Sequence, residues 1–196
     1  LMAAGLNQSK RKVVISQRRG SILDCFGRPL TDEILESVTL VFPNEQGPMV
    51  LSELLTGDEL TTALNKLKNG NAVRVNKAYK KETEGAVSIE IPKRYSGTLT
   101  HIIGYTDSSN NGVSGLEKGM NSILKSDNSI SVSYEIDSTG RMLSGAGYSI
   151  DYGQTDTFVK LTVDKEIQMI LENSMSVVES GAAVIIDAEN GKIKAT

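Results

Sequence analysis

The first forty residues alternate short apolar runs with polar breaks. Residues 11–17 (RKVVISQ) hold the β-branched run Val13-Val14-Ile15, which predicts a strand. Arg18-Arg19-Gly20 interrupts it, and residues 21–26 (SILDCF) read as a second strand, ended by the turn signal Gly27-Arg28-Pro29. Residues 38–42 (VTLVF) predict a third, closed by Pro43. The period then lengthens. Val50, Leu51, Leu54 and Leu55 recur at helical spacing up to Gly57, and Leu60, Leu64 and Leu67 give a second helix an apolar stripe that Asn69-Gly70 ends. Residues 72–75 and 85–91 predict strands, the latter stopped by Pro92, and residues 98–105 (TLTHIIGY) read as extended or weakly helical.

Beyond the polar loop 106–112, Ser114 stands as an N-cap with Glu117 at the capping-box distance, which predicts a helix running to about Lys125. Residues 130–136 (ISVSYEI) alternate as a strand, with 141–147 as its hairpin return and 148–156 as a linker. The early strands (11–17, 20–26) lack hairpin neighbours, so they are expected to pair with residues 130–146. A further strand at 158–163 leads to Asp164, the cap of an amphipathic helix over 165–179 with Ile167, Ile170, Leu171, Met175 and Val178 inward. Residues 181–187 (GAAVIID) are almost wholly apolar, the pattern of a strand buried on both faces, and Asn190-Gly191 turns it into a hairpin. That strand needs a full sheet around it, so the last forty or so residues are expected to begin a second domain that is cut early. Residues 1–10 read as a leader or linker.

Composition narrows the chemistry. With 21 Lys and Arg against 24 Asp and Glu, the net charge of −3 across 196 residues speaks against a nucleic-acid partner. A chain of this length buries roughly 70% of its unfolded surface and needs neither disulfide nor metal to fold. One cysteine, Cys25, and one histidine, His101, are too few for a zinc site and leave no internal disulfide. No apolar run approaches the roughly 18 residues of a membrane span, although an anchor can precede a chain such as this.

Four motif-like stretches have plainer explanations. Asp107-Ser108-Ser109-Asn110-Asn111-Gly112 begins like a calcium loop, but its twelfth position is Lys118, so it reads as a polar turn. Gly145-Ala146-Gly147 lacks the third glycine and the strand–helix setting of a dinucleotide site. The basic cluster Lys10, Arg11, Lys12, Arg18 and Arg19 suits anionic lipid near a membrane anchor, but more readily, for all but Arg19, a solvated strand face. Ser122-Ile-Leu-Lys125 runs straight into Ser126-Asp127-Asn128. These spell two of the three penicillin-recognising motifs, yet a nucleophilic helix turn and the facing loop of a cleft cannot be contiguous, and the Lys-Ser/Thr-Gly motif is missing. A helix terminus is the better reading. No catalytic, cofactor-binding or metal-binding residue is assigned.

Four separated stretches carry a family resemblance. Arg19-Gly20-Ser21-Ile22-Leu23-Asp24, followed by Gly27, Pro29, Leu30 and Thr31, resembles the R-G-x-I-x-D-x-x-G signature of class B penicillin-binding proteins. Pro92, Arg94 and Tyr95 with His101-Ile102-Ile103-Gly104-Tyr105 resemble their R-Y…H-x-I-G-Y segment, and Gly112-Val113-Ser114-Gly115-Leu116-Glu117-Lys118 resembles their G-x-S-G-L-E-K motif. Residues 159–168, Glu172 and residues 181–195 look like the entry to their transpeptidase domain. Cys25 and Phe26 depart from the family's usual Arg-Asn-like pair before Gly27.

The resemblance implies an α+β fold: an elongated, non-catalytic pedestal or dimerisation domain over residues 11–150, followed over 151–196 by the first helix and strands of a transpeptidase domain truncated before the catalytic serine. It implies a bacterial parent anchored by an N-terminal helix on the extracytoplasmic face of the membrane. That parent acts on peptidoglycan stem peptides and binds β-lactams, while this module positions the catalytic domain and contacts cell-wall synthesis or division proteins, with homodimerisation open. No cofactor is implied. The structural motif residues are Arg19, Gly20, Asp24, Gly27, Gly104, Tyr105, Ser114, Gly115, Leu116 and Glu117. Arg19 is expected to pair with Glu117, unless Glu117 only caps its own helix. Two other function classes stand beside this one: a fragment retaining serine acyl transfer through Ser122, and a free-standing ligand-binding domain.

Overall fold

The computed structural model describes residues 10–32 and 34–196; the expected leader lies almost wholly outside them. The strands are β1 (Lys10–Arg19), β2 (Ser21–Leu23), β3 (Ile34–Val41), β4 (Val73–Val75), β5 (Ala86–Lys93), β6 (Lys125–Glu135), β7 (Tyr148–Asp151), β8 (Phe158–Lys160), β9 (Ile185–Ile186) and β10 (Ile193–Ala195). The helices are α1 (Gly47–Leu54), α2 (Gly57–Lys68), α3 (Thr100–Ile103), α4 (Gly115–Gly119), α5 (Asn121–Leu124) and α6 (Lys165–Met175). The fold is α+β, and the chain forms two compact units that interleave in sequence. One takes the residues up to Gln17, Glu36–Ile91 and Ser129–Gln154; the other takes Arg18–Leu35, Pro92–Asn128 and Thr155–Thr196.

The first unit contains two three-stranded sheets, ordered β1-β6-β7 and β4-β3-β5. The alternation in β6 buries Ile130, Val132 and Tyr134 against Ile15, Val38, Leu40, Phe42, Ile89 and Ile91. Phe42 meets Tyr134 edge-on at 5.1 Å between ring centroids. A second apolar cluster forms where α1 and α2 cover one sheet, with Val50, Leu51, Ala63 and Leu67 against Val41, Val73, Val75 and Ala86. α2 follows its sequence signals. Asp58 and Glu59 occupy its first turn and Lys66 and Lys68 its last, each complementing the helix dipole. β5 runs through Pro92 instead of stopping before it; it is an edge strand, the place in a sheet where a residue without an N–H is tolerated.

Several expectations need correction. β1 pairs with β6 as expected, but β2 pairs in parallel with β8, Ile22 opposite Val159. Gly20 marks the change of partners: its N–H donates to the Leu124 carbonyl and that of Ser21 to the Thr157 carbonyl. The return strand of β6 is β7, inside the expected linker, while residues 141–147 contribute only the bridge Ile136–Met142. Tyr148, the first residue of β7, is half-exposed, and its ring packs 5.5 Å from Phe42.

The helix expected from Ser114 to Lys125 is two short pieces, α4 and α5, joined at Met120. Lys125 to Asn128, read as the end of that helix, belong to β6. α6 ends at Met175, and Ile170 and Val178 are exposed instead of inward. The strand expected over 181–187 reduces to Ile185–Ile186, both exposed, because a ribbon of β9 and β10 alone covers neither face. Among the described residues, no helix is long and apolar enough to cross a membrane.

A buried carboxylate clasp as the candidate functional site

The second unit has one apolar cluster of six buried residues: Ile22, Leu30, Leu99, Ile103, Leu124 and Val163. Its strands and helices are short, and a four- or five-residue helix has no intrinsic stability. Buried ionic groups hold its loops together. The Glu117 side chain is 2% exposed and takes two arginines, one on each oxygen. Arg19 Nε donates to Oε2 at 2.7 Å, and Arg94 Nε donates to Oε1 at 2.8 Å.

The remaining donors reach outward. Arg19 Nη2 donates to the Glu117 carbonyl at 2.9 Å. Its Nη1 donates to the Asn110 carbonyl and to Asn121 Oδ1, both at 3.0 Å. Arg94 Nη1 donates to Thr31 Oγ1 at 3.2 Å and to the Asp32 carboxylate. Two guanidiniums thus face two carboxylates, so the buried charges balance. Burial pushes the Asp32 carboxyl above its usual range, against the pull of Arg94 and the Thr31 hydroxyl.

Glycines make the clasp geometrically open to the backbone. Gly104 adopts φ +79°, and a Cβ there would lie 2.2 Å from the Ser114 carbonyl oxygen. Gly115 adopts φ +56°, and a Cβ there would lie 2.4 Å from the Ile102 carbonyl oxygen. Each glycine lets the segment carrying the other approach, so α4 is presented to Arg19 and Arg94 in one orientation. Ser114 occupies the N-cap position of α4 as expected but makes no side-chain cap bond; its Oγ accepts the Tyr105 N–H at 3.3 Å, while the Tyr105 ring is exposed. Glu117 is correspondingly no capping-box partner. Leu116 packs against the apolar cluster.

Asp24 organises a second, separate hub. Its side chain is fully buried and accepts the N–H groups of Phe26 (2.9 Å) and Arg28 (2.8 Å) and Arg28 Nε (2.7 Å). Burial alone would raise this carboxyl, but these bonds together with the Lys165 N–H outweigh it and hold it below the usual range. Arg28 also reaches Asp164 at 2.6 Å and pairs with Glu166, linking the turn at Gly27 to the start of α6. Gly27 itself sits at φ +86° in that turn.

On α6, Gln168 is fully buried. Its Oε1 accepts the Thr196 N–H at 2.8 Å and its Nε2 donates to the Thr196 carbonyl at 2.6 Å. Glu172 Oε1 accepts from Thr98 Oγ1 and the Leu99 N–H. Burial opposes its ionisation, but these bonds outweigh it and lower the carboxyl.

Sequence reasoning brought Arg19 and Glu117 together and missed the rest of the clasp. Arg94 and Thr31 stood in quoted motifs without a role, and nothing marked Asp32 or Asn121. The spacing of Arg94 two residues beyond Pro92 was the one available signal. Ser122 lies on α5, and Lys125 Nζ donates to Asn111 Oδ1 at 2.9 Å across a polar turn that Asp107 organises. Cys25 is a half-buried free thiol. Among the described residues, no group of three or more His, Cys, Asp or Glu is placed to hold a metal ion. The clasp satisfies its own charges, an arrangement suited to fixing loops.

No protein-family model matches the sequence, and no characterised protein matches it by sequence. Solved structures do share its fold. Penicillin-Binding Protein (PBP2) from Helicobacter pylori is 19% identical with a TM-score of 0.53, covering 94% of this chain and 42% of its own. The complex between PBP2 and MreC from the same organism gives 18% identity and a TM-score of 0.51, again over 94% and 42%. Penicillin Binding Protein 2X from Streptococcus thermophilus gives 18% and 0.51, covering 94% of this chain and 35% of its own. The chain therefore has the fold of a segment of penicillin-binding proteins and spans less than half the length of these neighbours.

Proposed function

We propose that the chain is the non-catalytic pedestal module of a class B penicillin-binding protein, spanning residues 11–150, with 151–196 as the start of the transpeptidase domain. On this reading the parent is a membrane-anchored D,D-transpeptidase working on peptidoglycan outside the cytoplasm, and this module positions its catalytic domain. One observation carries the reading. The likeness in fold covers 94% of the chain, and the motif residues Arg19 and Glu117, nearly a hundred positions apart, meet in a buried clasp within that fold. Arg19, Asp24, Gly104, Gly115 and Glu117 act here as structural residues. The neighbour solved with MreC is a precedent for a protein partner, and a cell-wall synthesis or division protein is the partner class proposed for this chain.

Labelling with a fluorescent penicillin tests the non-catalytic part. The chain is expected to give no covalent adduct, since Ser122 and the Ser126-Asp127-Asn128 run lie on α5 and its continuation into β6 instead of on two walls of a cleft. A stoichiometric mass shift that Ser122→Ala abolishes would favour the acyl-transfer reading instead.

A further inference from the structure

β4 is an edge strand: in the order β4-β3-β5 it pairs with β3 alone, Val75 opposite Thr39 and Val73 opposite Val41. Beside it, within the first unit, lies an open groove of about 740 Å³, in the range of roughly 300–1,000 Å³ typical of ligand sites. One wall is the consecutive stretch Val73 to Lys77 and the other is α2. Val73, Val75 and Ala63 belong to the buried apolar cluster, and Leu55 packs against it, so the floor is apolar. A groove between an edge strand and a helix is the geometry in which an extended peptide adds as a strand: the edge backbone supplies hydrogen bonds and the floor takes alternate side chains.

The rim is polarised. Asp58 and Glu59 come from the first turn of α2 and Lys66 from its last. Only residues 69–72 separate α2 from β4, so Lys66 lies towards the Val73 end and the acidic pair towards Lys77. Lys77 donates its Nζ to the neutral Leu54 carbonyl at 2.8 Å and keeps its charge, so two carboxylates against one ammonium leave that end net acidic, and Arg74, the other cation of the lining, lies 4.0 Å from Glu36.

We propose that this groove docks an extended segment of a partner protein, added antiparallel to β4, with apolar side chains over Ala63, Val73 and Val75, a basic residue at the Asp58–Glu59 end and an acidic residue at the Lys66 end. Antiparallel pairing is the slightly stronger ladder, and the charges orient the segment. The inference rests on the groove and uses none of the clasp residues.

The test is fluorescence anisotropy of the whole chain with the labelled peptide Lys-Thr-Val-Thr-Val-Thr-Glu-amide, which puts both valines and both charged side chains on one face. Saturable binding is expected. N-methylation of the backbone amides that face β4 should weaken it about tenfold or more, and so should Thr62→Trp, which fills the groove from an exposed helix position. Lys66→Glu should weaken this probe while leaving its Gln-ended analogue unchanged. Circular dichroism of each variant controls for folding. Absence of saturable binding, or binding that survives N-methylation or Thr62→Trp, overturns the proposal. Concentration-dependent dimerisation abolished by Thr62→Trp would also overturn it, since the occupant would then be a second copy of the chain.

Discussion

The two units solve the same stability problem with different chemistry. The first has two apolar clusters, long enough strands and a twelve-residue helix, so most of its stabilisation comes from non-directional burial. The second has one small apolar cluster, strands of two or three residues and helices of four or five apart from α6. It ties these pieces with the buried side chains of Glu117, Asp24 and Gln168. Burial tolerates substitution of similar volume. A buried charge network does not, because each remaining member loses the partner that justified its desolvation. The first unit should therefore be robust to chemical change and sensitive to volume, and the second the reverse.

The strongest test of that contrast is Glu117→Ala. It leaves Arg19 and Arg94 without their shared carboxylate, and removing one partner of a buried ion pair typically costs about 3–5 kcal/mol. Hydrogen exchange resolved by segment should show the loss in the second unit. Arg19→Ala should cost less, because Arg94 still holds Oε1, and the double variant Arg19→Ala with Glu117→Ala should lose less than the sum of the two single losses. Strictly additive losses would mean that the clasp is only an adjacency.

Next comes Leu51→Ala in the first unit, where the side chain is fully buried. A large-to-small change in such a core costs about 2–5 kcal/mol, while Leu51→Met should cost under about 1.5 kcal/mol. If Leu51→Met destabilises as much as Leu51→Ala, the first unit is not the tolerant one.

The smallest effect is a pH dependence at Asp24. Its carboxyl is held below the usual range, so its stabilisation is fully present above the unfolded value of about 3.9 and fades as pH falls through the lower folded one. Asp24→Asn should lose about 1–3 kcal/mol near neutral pH, the order expected when a buried hydrogen-bonding partner is removed. Denaturant unfolding of both proteins should converge in acid. A gap that persists there would assign the loss to geometry instead of charge.

Reading the sequence worked where a single element carries its own pattern. The stripe Leu60, Leu64, Leu67 with dipole-matched ends defines α2, and the alternation Ile130, Val132, Tyr134 defines the buried face of β6. Both signals are local, since period and capping depend only on neighbouring residues. The family-like motifs around Arg19 and Glu117 even suggested which distant charges should meet. The same logic failed where partners are set by the rest of the fold. Nothing local tells β2 to choose β8 over the 130–146 hairpin, and the apolar run 181–187 reads as buried although Ile185 and Ile186 are exposed. Arg94, Asp32 and Asn121 have no periodicity to betray them. They matter only because the folded chain brings them to Arg19 and Glu117, and a charge has no role until something of opposite sign stands beside it out of water.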